Sequence, residues 1–133
     1  MTTAVRHREI SDMFLDHAVD EYNRGDMLQA SEKAWGAVAH HVKSVAKERG
    51  WPNNSHQQIR QITYALTRLT DDPEQSRRML STLEALHTNF YEERYPEDYV
   101  WGGISDAREL IGALKRAEPR FPNQLSGVSR QRS

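Results

Sequence analysis

The sequence predicts an all-α fold, an up-and-down antiparallel bundle of about five helices. Three observations carry that prediction. Apolar residues recur at spacings of three and four through each long segment, and no stretch keeps the alternation of a strand. The segments are separated by helix punctuation, namely capping Ser or Asp, glycine stops and prolines at helix starts. Only 37% of the 133 residues are hydrophobic and the mean hydropathy is −0.84. Such a chain suits slim helices with wet outer faces, and it is long enough to bury one core without staples.

The first helix is expected from about Glu9 to Asn23, where Phe14, Leu15, Ala18, Val19 and Tyr22 form one stripe. Gly25 suits the left-handed position after a helix, and Asp26 can cap the next one. The second helix, from Met27 to Arg49, places Ala30, Ala34, Trp35, Val38, His41, Val42 and Val45 on one face. Glu32, Lys33, His40, Lys43 and Lys47 are expected to look outward. Gly50 ends it, Trp51 can fold back on its last turn, and Pro52 prevents a restart.

Ser55 and Gln58 form a capping-box pattern at the start of helix three, whose stripe is Ile59, Ile62, Leu66 and Leu69. Asp72-Pro73-Glu74 opens helix four with proline at the first helical position. Met79, Leu80, Leu83, Leu86, His87, Phe90 and Arg94 follow on one side. After Tyr95-Pro96 the spacing of Val100, Ile104, Ala107, Ile111 and Leu114 holds helical phase across Gly102-Gly103. One helix is therefore expected from about Glu97 to Ala117, with the glycines marking a close contact or mild bend, since each costs about 1 kcal/mol against alanine. Residues 1–117 read as a single domain. From Glu118 onward the chain has no periodicity and two prolines, and 118–133 read as a disordered polar tail.

Charge and composition exclude several classes. The chain has no cysteine, which removes disulfides and thiolate metal sites and makes a cytoplasmic setting natural. No apolar run approaches a membrane span of about 20 residues. The formal net charge is −1, without the basic surplus of a dedicated nucleic-acid binder. Glu84-x-x-His87 has the spacing of an iron ligand pair in bundles, but such a site needs the motif twice, and it occurs once. His40 and His41 point about 100° apart on a helix, so at most one could belong to a site. Neither metal nor cofactor is expected.

The stretch LHTNFYEERYPED, residues 86–98, concentrates the polar and aromatic chemistry. His87 lies on or beside the buried stripe. As a core residue it would reach across the bundle to Tyr22 or His41. As a ligand-binding residue it would act with Asn89, Tyr91, Arg94 and His41.

The order YNRGDMLQASEKAWGAVAHHV, a GWPNNSH link, LHTNFYEERYPED and a last amphipathic helix resembles the HEPN superfamily of nucleotide-binding helical domains. Its nearest likeness there is the PaREP-like branch, over roughly residues 10–117. The resemblance implies a homodimer with a cleft between subunits. In members that cut RNA, it implies a metal-independent attack by the 2′-hydroxyl, assisted by a histidine base and an arginine cation. At the family's spacing before His87 stand Leu80, Ser81 and Thr82, none of them arginine. Arg78 lies farther back, Arg94 lies beyond, and Arg49-x6-His56 straddles the Gly50-Pro52 break. The motif is degenerate. The expected role is thus a nucleotide-, RNA- or partner-binding module, the partner being a nucleotidyltransferase or an antitoxin. A toxin-type ribonuclease using His87 with Arg78 or Arg94, and a purely structural bundle, stay open as alternatives.

Overall fold

The computed structural model describes residues 3–89 (of Asn89, the backbone) and 95–125, and these contain helices and no strand. Five α-helices follow in order: α1 Thr3–Asn23, α2 Met27–Arg49, α3 His56–Thr67, α4 Pro73–Asn89 and α5 Glu97–Ala117. None is long and apolar enough to cross a membrane.

Local signals account for most of the boundaries. Gly25 takes φ +83 after α1, and the Asp26 carboxylate accepts the backbone N–H of Gln29 at 3.0 Å. Gly50 takes φ +70, and Trp51 donates its backbone N–H back to the carbonyl of Ala46. Ser55 and Gln58 form the reciprocal capping box. Asp72 accepts the N–H of Gln75 at the start of α4. Helix α5 runs unbroken through Gly102-Gly103, and a Cβ on Gly103 would stand 2.2 Å from Leu86 Cδ1. That glycine exists so that α4 and α5 can touch. Among the described residues, no atom lies within 4 Å of where a Cβ on Gly102 would stand.

Helix α2 is the hub, in contact with α1, α3, α4 and α5. Its small residues allow the approach: Phe14 of α1 lies where a side chain on Gly36 would sit, and Ser11 donates to the carbonyl of Ala37. Helices α1 and α2 run antiparallel, since Arg8 pairs with Glu48 at one end while Phe14 meets Gly36 farther along. The pairs His56–His87 and Arg60–Glu84 set α3 against α4 in the same sense. Trp35, Val38, Leu66, Leu83 and Ile111 are buried as their phase requires. Each such side chain contributes about 1.5–3 kcal/mol through removal from water.

Four expectations are corrected. Helix α1 begins at Thr3, six positions before Glu9, because Ala4, His7, Arg8 and Ser11 all find partners or burial against α2. His40 is consequently not solvent-facing: it stacks on His7 and meets Phe14 edge-on. The segment from Glu118, expected as a tail, packs as far as Leu125. Glu118–Arg120 form a 3₁₀ turn, Phe121 is buried, and Arg120 reaches the Leu69 carbonyl and Asp71. Two aromatic partners supply what periodicity could not show, for the Trp51 indole donates to the carbonyl of Asn123 and Arg49 lies over both Trp51 and Phe121. The fourth correction concerns the reading of His87 as a core residue, for its side chain is only partly buried.

Candidate functional site

His87 emerges near the end of α4 beside the first turn of α3. Its side chain is 28% exposed, and Nδ1 stands 3.1 Å from Glu32 Oε2 of α2. Neither Tyr22 nor His41 is its partner. Tyr22 packs on Trp101, and His41 is buried elsewhere on α2 with Nε2 unpartnered among the described residues. The His87 ring stacks on His56 at 5.1 Å and on Trp35 at 5.4 Å between centroids. Trp35, 4% exposed, is a rigid floor set in the core. The three rings and one carboxylate come from α2, α3 and α4, so the fold, not the local sequence, assembles them.

The geometry dictates the proton positions. A carboxylate accepts only, so His87 presents Nδ1–H to Glu32, and in the neutral ring Nε2 is then the acceptor. A carboxylate that orients an imidazole in this tautomer is the arrangement used by histidine bases. His56 is held below its ordinary pKa of 6.5 by burial first and then by His87 and Arg60. At neutral pH it is an uncharged ring suited to stacking.

Arg60, one helical turn beyond His56, is a cation close enough to this cluster to act on the His56 ring. Its Nε and Nη2 donate to the two carboxylate oxygens of Glu84 at 3.3 and 3.2 Å. Half of the arginine side chain is exposed, and an exposed pair of this kind is worth at most about 1 kcal/mol. Arg60 is therefore near the site but is not fixed on it. Glu84, turned to Arg60, is not paired with His87 as a metal ligand, and among the described residues no three His, Asp or Glu converge on a metal position.

The other expected site residues scatter. Arg78 bonds Gln75 and is nine positions before His87, half a turn around α4 and about 13 Å along it. Arg49 is engaged with Trp51 and Phe121, so it is not a partner for His56. Tyr91, Arg94 and the side chain of Asn89 lie outside the described residues. Sequence reasoning missed Glu32 and His56 as partners of His87. Their only sequence signals were an outward-phase acid on α2 and a histidine beside a helix cap, both too common to single out.

No curated protein and no solved structure matches the chain. The family comparison matches residues 6–111, from the first turns of α1 to the second half of α5, and so covers every element that builds the His87 cluster. By that match the chain belongs to the archaeal PaREP1/PaREP8 family.

Proposed function

We propose that the chain is a HEPN-like module that binds nucleotide or RNA at the His87 face without cleaving it, and that it works as a homodimer. The observation that carries this reading is the Glu32–His87–His56–Trp35 cluster, a half-exposed aromatic and polar surface on a rigid floor. Rings of this kind stack bases, and imidazole nitrogens hydrogen-bond their edges. Cleavage asks for more. Negative charge developing on phosphate oxygens needs a preorganised cation, and losing one such donor costs about 10²–10³ in rate. Arg60 is committed to Glu84 through an exposed, weak pair, which can lend a charge to a bound phosphate but cannot hold it in place beforehand.

One observation favours the ribonuclease alternative: Glu32 sets His87 in the tautomer of a general base. The test separates the two. Wild type and His87→Ala are incubated with mixed-sequence single-stranded RNA in chelator, and binding and cleavage are read in parallel with a melting curve. Saturable binding, weakened in His87→Ala, with intact RNA in both samples is expected. His87→Ala is also expected to melt lower, since Glu32 loses its partner and Trp35 its cover. RNA cleavage by wild type that disappears in a folded His87→Ala would establish the ribonuclease instead. Absence of any binding would leave the bundle a scaffold.

A further inference from the structure

From Arg49 to Thr70 the sequence carries three arginines and neither aspartate nor glutamate, in a chain whose 18 basic residues as a whole are balanced by 19 acidic ones. Helix α3 lies within this stretch. One of its faces is spent on the core through Gln58, Ile59, Ile62, Thr63 and Leu66. The opposite face lines an open groove of about 480 Å³ that runs past Gln57, Arg60, Gln61, Tyr64 and Arg68, with Glu84 of α4 on its far wall. These positions form one helical stripe about 16 Å long, and it starts next to His56.

Tyr64 is the unusual member. It is 46% exposed on a face where no packing demands an aromatic ring, and the Arg68 guanidinium lies over the ring at 5.5 Å. An exposed ring with a cation held against it, another cation one turn away and glutamine amides between them is the combination that takes single-stranded nucleic acid. The ring stacks a base, the arginines meet phosphates, and amides reach base edges. Arg60 and Glu84, which line the groove, stand one helical turn from His56 and His87, so the groove runs from beside that stack along α3 to its last turn.

We infer that this groove is the track for a short single-stranded RNA segment, with a base stacked on Tyr64 and phosphates on Arg68 and Arg60. The inference rests on the RNA-binding reading above and adds a surface that reading does not require. Binding of a labelled, mixed-sequence single-stranded RNA is measured by fluorescence anisotropy over a salt series, for wild type, Tyr64→Ala, Tyr64→Phe and Arg68→Ala. All three substitutions are on the surface, and far-UV melting checks the fold.

Tyr64→Ala is expected to bind about tenfold more weakly and Tyr64→Phe as wild type, because stacking needs the ring and not the hydroxyl. Arg68→Ala should flatten the slope of log affinity against log salt by about 0.7, one phosphate's worth on a single strand. A duplex of the same sequence should bind at least tenfold more weakly, its bases being already stacked. Undiminished binding by Tyr64→Ala and Arg68→Ala, with binding lost in His87→Ala, would remove the groove and leave the His87 reading standing. Equal affinity for duplex, or a Tyr64→Phe as weak as Tyr64→Ala, would also overturn the groove. Wild type that binds no RNA would remove both readings, and saturable binding of a polyglutamate peptide in its place would mark the groove as a protein-docking surface.

Discussion

His40 and His41 are neighbours on α2, yet burial lowers the pKa of each from 6.5 to about 4, by different surroundings. His40 is pressed against His7, with Lys43 and Lys33 adding positive charge. His41 is sunk in the core, with Lys115 and Arg8 opposing its protonation. The Nδ1 atoms of His7 and His40 are 2.8 Å apart, so one ring must donate and the other accept. Two charged rings would set donor against donor. Because the folded-state values lie below the unfolded ones, the unfolded chain takes up protons first. Stability from these groups is therefore complete above pH 6.5 and is lost as pH falls towards 4. The urea midpoint should drop over that window, and the drop should be smaller in His41→Leu, which also removes an orphaned buried nitrogen. An acid limb identical in wild type and His41→Leu would show that His41 is not a source of the loss.

At the scale of the element, the two glycines of α5 make a matched pair for measurement. Gly102→Ala meets nothing within 4 Å among the described residues and should stabilise the helix by roughly 0.5–1 kcal/mol through lower backbone entropy in the unfolded chain. Gly103→Ala drives a methyl into Leu86, which is itself fully buried, and should destabilise by about 1–3 kcal/mol. Chemical denaturation of both variants checks this, and equal shifts would mean that α4 and α5 can slide apart at no cost. The helices themselves were legible because their signals are local. The capping box at Ser55, the stop at Gly50 and the phase of α5 need only neighbouring residues. The start of α1 was not legible, since its first turns are held by contacts with α2 that lie 26 to 40 residues away. The cluster around His87 failed for the same reason: Glu32 is 55 residues distant from it. Periodicity places a residue on a face but does not say which residue of another helix will stand opposite.

For the whole molecule, the exposed aromatics give the question of assembly a location. Tyr99 and Trp101 are each about 40% exposed at the start of α5, beside Tyr95 and Tyr22. A homodimer seamed on this patch is expected, with a dimer mass by light scattering at micromolar protein and a monomer mass for Trp101→Lys. A monomeric wild type at that concentration would sink the proposal. A last consequence concerns the order in which the chain can finish folding. The indole of Trp51 is tied to the carbonyl of Asn123 across 72 residues, and Phe121 fills the space beside it. The end of α2 therefore stays uncovered while α3, α4 and α5 are made. On a translating ribosome the first helices can pair early, but their shared core is sealed only when the residues around Phe121 leave the exit tunnel. The tie between Trp51 and Asn123 thus cannot form until every helix of the bundle has been made.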